Sequence, residues 1–262
     1  MSGVANNPYL EANRDDLLRI MTAPNAGAHN AVYRGKRLGI EPTEAEYAAI
    51  DAGTFDDMYI GDYWDKGGIN YRIAAFNYFL HTGDTECETN HVVIVPDTCL
   101  YKSQMYQRGS DDSFFTGGAK NLGYYNSYMR KSNLEQAKTT IKSAFNGHVL
   151  KHRIRLTDEV ENGRTSDDVW CDSEVDLMCE QMVYGSGIFS PVSDGTHTRG
   201  DLVEKSQLPL FQHEPSRICN NSYWWLRDVI TDYYCACVSY GGIASLEPIT
   251  DSNGVRPYFC IY

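Results

Sequence analysis

The chain has 262 residues, 42% of them hydrophobic and 22% charged, and carries a formal net charge of −12. These proportions describe an ordinary folded chain, and the acidic excess without any Lys/Arg stripe excludes a nucleic-acid surface. No apolar run reaches the ~18–20 residues of a membrane span, and MSGVANNPYLEANRDDLL lacks the basic-then-apolar pattern of a secretory signal, so the sequence predicts a cytoplasmic product with no membrane insertion.

In chain order, Pro8 followed by Tyr9 to Met21 reads as a short helix with Leu10, Leu17, Leu18 and Met21 as its apolar positions. A small-residue linker runs from Thr22 to Ala31. A second helix starts at Thr43, where Thr43 and Glu46 have capping-box spacing, and Gly53 closes it. So little structure buries little apolar surface by itself. Residues 1–53 are therefore expected to be an attachment or oligomerisation segment, docked on a partner copy, another protein or the main domain, with residues 54–262 as that domain.

From Thr54 the pattern turns to strands. MYIGDYW (58–64) and INYRIAAFNYFL (69–80) flank Asp65-Lys66-Gly67-Gly68, which predicts a hairpin. HVVIVPD (91–97) reads as a buried strand ending at Pro96. Ser132 to Asn146 reads as a helix with a Ser132/Glu135 capping box and Gly147 as its stop, and residues 148–156 alternate like a strand. Residues 173–185 read as a second amphipathic helix, and 185–214 as a long loop of the functional kind. Short strands are expected around Tyr223–Arg227, Tyr233–Ser239 and Val255–Ile261.

Eight cysteines, at 87, 99, 171, 179, 219, 235, 237 and 260, form no C-x-x-C pair, so they read as free thiols packed as small hydrophobes. G-x-S-x-G, H-E-x-x-H, Walker and G-x-G-x-x-G motifs are absent, and the expectation is a protein that is not an enzyme and needs no cofactor or metal. His81 and His91 bracket an acidic loop, and Asp111-Asp112 and Asp167-Asp168 are calcium-like only in composition; all read better as solvated or satisfied loop residues. Nineteen tyrosines against nine phenylalanines point instead to a contacting surface.

The tail concentrates that signal. Trp224, Leu226, Val255 and Phe259 are apolar enough to anchor a core, while Arg227 and Arg256 beside them are placed to clamp carboxylates or loop carbonyls. On a strand at 233–239, Tyr233, Cys235, Cys237 and Ser239 share one face, expected to be open, and Tyr234, Ala236 and Val238 share the other, expected to face the core. The candidate binding residues are Asn220, Asn221, Tyr223, Asp228, Asp232, Tyr233, Tyr234, Cys235, Cys237, Ser239 and Tyr240, within a candidate region 217–242. An ordinary strand with exposed tyrosines is the plainer alternative.

Trp224-Trp225-Leu226-Arg227, Gly241-Gly242 and Gly254-Val255-Arg256-Pro257 with Phe259 resemble the W-L-R…G-V-R-P-x-F ending of phage and prophage proteins with a C-type lectin fold, related to the formylglycine-generating-enzyme fold. IGDYWDKGGINYRIAAFNYF…HVVIVPD and Leu208-Pro209-Leu210-Phe211 are similar to gut-phage members of that group, so the resemblance covers roughly 54–262. It implies an α+β C-type-lectin-like domain with small antiparallel sheets and two packed helices. It also implies a virion surface protein that contacts a host cell-surface protein or glycan, joined to other virion proteins through residues 1–53 and assembled as a homotrimer. A capsid decoration or head fibre without host binding is the alternative. Formylglycine-generating activity is not carried over, for no matching cysteine motif is present.

Some proteins of that group are diversified by retroelements that mutate adenines, and AAC or AAT codons changed this way cannot yield Lys, Glu, Gln, Met or Trp. The 32 residues from Pro215 to Leu246 contain no Lys, Glu, Gln or Met, against about four expected from the composition of the chain.

Overall fold

The computed structural model describes residues 25–106, 121–161, 164–189, 203–204, 206–231 and 233–262; the helix expected at Tyr9–Met21 lies outside them. The architecture is α+β, with three small sheets and few, short helices among the described residues.

Helix α1 (Ala26–Asn30) and helix α2 (Glu44–Asp51) bracket strand β1 (Arg37–Gly39). The expected capping box is present: the Glu46 amide donates to Thr43 Oγ1 at 3.2 Å, and the Thr43 amide donates to the Glu46 carboxylate at 2.7 Å. Residues 25–53 are built into the main body and form no separate appendage. His29 is buried against Phe55 and Phe76, Asn30 exchanges two hydrogen bonds with the Phe76 main chain, and the Tyr47 hydroxyl donates to the Phe145 carbonyl at 3.2 Å. Apolar residues such as Tyr47 and Ile50 find their burial against the domain, as short helices must.

The predicted hairpin is β2 (Tyr63–Lys66) paired with β3 (Ile69–Phe76). Gly67 and Gly68 turn it with φ of +62° and +82°, the two left-handed positions of a type I′ turn. Strand β4 (Val92–Pro96) pairs with β3, β5 (Tyr101–Ser103) belongs to another sheet, and β6 (Asn121–Leu122) borders a long hairpin of β7 (His152–Glu161) and β8 (Arg164–Ser173).

Two helix expectations are corrected. The helix expected from Ser132 begins earlier, with a wide π-type turn at Met129–Asn133, so Ser132 lies inside it and makes no capping box; α3 proper is Leu134–Ala144, with Leu134, Ala137, Ile141 and Ala144 buried. Residues 173–185 are mostly not helical. Strand β9 (Val175–Leu177) takes the first part, and only Glu180–Tyr184 forms a helix (α4), stopped at Gly185. Pairing with the C-terminal strand overrides the helical spacing there. The stretch read as one loop contains a further short helix, α5 (Pro209–His213), with Leu210 and Phe211 buried, while residues 190–202 and 205 lie outside the described set.

The tail supplies β10 (Trp224–Val229), β11 (Tyr234–Val238), β12 (Ala244–Pro248), β13 (Asn253–Val255) and β14 (Pro257–Ile261). The six-stranded sheet has the order β1-β2-β3-β4-β14-β9, so the last strand sits inside it, with Phe259 opposite both Ile94 and Val175. All five residues of β4 and all five of β14 are buried, which explains their unbroken apolar character: both faces are covered. The five-stranded sheet has the order β12-β11-β10-β13-β5 and carries the candidate region.

Candidate binding surface

The frame comes first. Trp224, Trp225 and Leu226 are fully buried on β10, and the two indole N–H groups donate to the carbonyls of Ile218 (3.2 Å) and Ser103 (2.8 Å). Val255 and Phe259 are equally buried. Arg227 pairs with the buried carboxylate of Glu204 at 2.6 Å, and Arg256 donates to the carbonyls of Pro96 and Arg217, each at 2.8 Å. One arginine thus holds a carboxylate and the other holds carbonyls. Burial lowers the Arg256 guanidinium to about 10. Gly254 admits no side chain: a Cβ there would lie 2.3 Å from Cys99 Sγ and 2.9 Å from the Tyr223 carbonyl.

The expected open face on β11 is not formed. Cys235 and Cys237 are 0% exposed, as buried as Ala236 and Val238. The strand is internal, hydrogen-bonded to β10 and β12, with Cys235 against Asp228 and Cys237 near Tyr184, so alternation separates two covered faces. Burial raises both thiols, Cys237 to about 12, which leaves them inert packing residues.

Exposure concentrates at the two ends of the strand. Tyr233 and Tyr234 are exposed at one end; at the other, Tyr240 is 59% exposed and Ile243 is 71% exposed. Six residues of extended chain put Tyr234 and Tyr240 about 20 Å apart. The Tyr240 end is tightly built. The Ser239 amide donates to the Ile243 carbonyl (2.9 Å), and the Ile243 amide donates to Ser239 Oγ (3.2 Å). The Tyr184 hydroxyl donates to the Gly242 carbonyl (3.2 Å), and the Cys219 thiol donates to the Tyr240 carbonyl (2.8 Å). Tyr223 meets Tyr240 edge to face at 4.8 Å.

The remaining candidates divide by role. Asn221 is exposed with φ of +51° beside this tip. Asn220 works internally: its Oδ1 accepts from the Cys99 amide at 3.3 Å and its Nδ2 donates to the Asp97 carbonyl at 2.7 Å. Ser239 closes the turn. Asp228 faces inward, its Oδ2 accepting the Glu180 amide at 2.7 Å. Asp232 lies outside the described residues. Ile243, the most exposed large apolar residue of the tip, falls one position beyond the expected region; its signal was an isoleucine directly after Gly241-Gly242, where a hairpin turn exposes whatever follows.

Among the described residues no group of three or more His, Cys, Asp or Glu side chains converges as metal ligands would. His81 binds Glu86 at 2.6 Å, whereas His91 is buried between the Thr89 carbonyl and the Phe79 amide. Asp168 pairs with Arg155 at 2.6 Å, and Asp111-Asp112 lie outside the described residues. A cleft of about 350 Å³ between residues 85–89 and 150–153 is lined by Arg153 and Lys151, both of which already pair with Asp172.

Residues 89–262 match a family described as a domain of unknown function, DUF6273. No curated protein and no solved structure matches the chain.

Proposed function

The chain belongs to the DUF6273 family of domains of unknown function, and on that premise we propose that it is a contact module: a C-type-lectin-like frame that presents a tyrosine-bearing tip to a protein on another surface. The observation that carries this is the pinned turn at Ser239–Ile243, which holds Tyr240 and Ile243 out in water beside Tyr223. Four hydrogen bonds fix the main chain of the turn, so the backbone that carries these exposed side chains is ordered before any partner arrives, which lowers the cost of forming a contact.

A protein partner is favoured over a glycan because the tip residues Tyr223, Tyr240, Gly241, Gly242 and Ile243 carry no charge, and Ile243 offers only apolar area. The resemblance of the tail and of residues 60–97 to phage proteins supports display on a virion and a host cell-surface partner. Several copies on one particle, as a trimer or otherwise, would multiply a weak single contact. Retroelement diversification is compatible with this geometry only at positions outside the frame, such as Asn221, Tyr233, Tyr234 and Tyr240, because Cys235 and Cys237 are packed.

The test is binding of the labelled full chain to intact bacterial cells across a panel of strains. Tyr240→Ala and Ile243→Ala should each reduce binding at least tenfold without altering the near-ultraviolet circular dichroism. Protease treatment of the cells should remove binding and periodate treatment should spare it; the reverse pattern would identify a glycan. Equal binding by both variants refutes the tip, and leaves a decoration role as the surviving alternative.

A further inference from the structure

The five-stranded sheet ends on β12, the strand that leaves the tip; β11 pairs with it on one side, and among the described residues no strand lies on the other. The register fixes which main-chain groups face outward. The Ser239 amide donates to the Ile243 carbonyl and the Ile249 amide to the Tyr233 carbonyl, each at 2.9 Å. Bonded and non-bonded pairs alternate between those two points. Ser245 and Glu247 therefore point their amides and carbonyls at β11, whereas Ala244, Leu246 and Pro248 point theirs away. Pro248 has no amide hydrogen, and its carbonyl accepts the Asp251 amide at 2.9 Å. Ala244 and Leu246 are left with two donors and two acceptors, partly exposed and without a hydrogen-bond partner among the described residues.

Both ends of this edge carry exposed side chains of the contacting kind. Ile243 and Tyr240 lie at the Ala244 end, and Tyr234 stands opposite Pro248. The charge beside the edge has one sign. Burial, then Asp251, raise the Glu247 carboxyl, and no cation counters them. We propose that an extended segment of a partner protein, bearing lysine or arginine, adds to the sheet along Ala244–Leu246. This rests on the contact reading above and supplies its binding mode. Four main-chain bonds attach the segment, a cation opposite Glu247 sets its register, and Pro248 confines the pairing to this short stretch. A strand laid there touches both tyrosine-bearing ends at once. A second copy of this chain fits worse, since it brings the same two carboxylates and a further net charge of −12.

Amide exchange on the full chain tests the edge, with the acetylated, amidated peptide Thr-Lys-Val-Lys-Val-Thr as the probe. Without peptide, Ala244 and Leu246 should exchange at least about a hundredfold faster than Ser245 and Glu247, after correction for intrinsic rates. With about 5 mM peptide they should slow at least about threefold. The same peptide with aspartate in place of both lysines should leave them unchanged. Ala244→Pro deletes one outward donor and spares the bonds to β11, so it should abolish both the slowing at Leu246 and the binding to cells. If that variant misfolds, the contrast between the two peptides on the unaltered chain decides alone. Slow exchange of Ala244 and Leu246 without peptide, equal slowing by both peptides, or slowing by neither would each overturn the proposal. Protection that grows with protein concentration would overturn it in favour of a second copy. Full cell binding by Ala244→Pro beside a loss in Tyr240→Ala would strike the edge and leave the tip standing; the opposite pattern would strike the tip alone.

Discussion

Arg256 lies beneath Trp224, its guanidinium carbon 5.1 Å from the indole centroid and 5.6 Å from the ring of Phe211 on the other element. Among the described residues no carboxylate pairs with it. Two carbonyls and two aromatic faces hold it, and they come from four separate places: Pro96 at the end of β4, Arg217, β10 and α5. A planar fork with delocalised charge suits that mixture; an ammonium does not. Arg256→Lys is therefore expected to cost about 2 kcal/mol, since a lysine cannot reach both carbonyls and strands one of them in the interior. Urea unfolding midpoints check it, and a change within 0.5 kcal/mol, roughly the noise of a surface substitution, would show the fork to be dispensable.

The two sorts of residue on and around β11 should part company under mutation. Cys237→Tyr forces a ring into a site sealed by β10, β12 and Tyr184, and overpacking of that size costs about 1–3 kcal/mol or more. Tyr240→Ala removes a side chain that is mostly in water, and stability should stay within about 0.5 kcal/mol. Thermal midpoints of the two variants side by side are sufficient. Equal losses would mean that the tip is part of the core.

This contrast marks where the sequence was legible. Trp224, Leu226, Val255 and Phe259 were readable as core because large apolar residues beside arginines have few other uses. The β2–β3 hairpin and the α2 cap were readable because their chemistry is local: two glycines, or one threonine and one glutamate. The face of β11 was not, since period-two alternation tells two faces apart without saying whether a second layer covers the outer one. Cysteine hides the answer further, being small and nearly as apolar as alanine. The strand at Val175–Leu177 failed for a related reason: its partner, Pro257–Phe259, is some eighty residues away, and only the partner distinguishes it from a helix.

Two buried histidines give the fold a specific acid sensitivity. His91 donates from one ring nitrogen to the Thr89 carbonyl and accepts the Phe79 amide on the other, so protonation would break the second bond. Burial lowers it to about 4; burial, with His91 and Arg227 nearby, lowers His152 to about 3. Both folded values lie below the ordinary 6.5, so the unfolded chain binds more protons beneath that pH. Their contribution is complete above pH 6.5 and is lost as pH falls towards 4, at up to about 1.4 kcal/mol per unit each. Asp228 acts in the opposite sense over nearly the same window, because its raised value favours the folded state at low pH. The net slope between pH 6.5 and 5 should therefore be about one histidine's worth. His152→Phe, which keeps the contact with Phe79 and removes the proton, should be more stabilising at pH 5 than at pH 7 by about 2 kcal/mol. An effect of equal size at both values would show that His152 is not buried in its neutral form.

The family match begins at residue 89, yet the sheet it enters does not. Strands β4 and β14 lie within the matched region, but β4 takes its other partner from β3, with Ile73 opposite Ile94 and Phe76 opposite Val92. The fully buried β4 would become an edge if the chain were cut there, exposing a row of unpaired amides and an apolar face at once. Phe145 and Phe259 would also lose Tyr71, which meets both rings edge-on at 5.4 and 6.0 Å. The fragment 89–262 is therefore expected to aggregate or remain unfolded when expressed alone, while the full chain folds, since residues 25–88 complete the sheet and its covering helices. Size-exclusion chromatography and amide dispersion in a two-dimensional NMR spectrum distinguish the outcomes. A monomeric, well-dispersed 89–262 fragment would show that the matched region is a folding unit by itself and that the preceding strands are an addition to it.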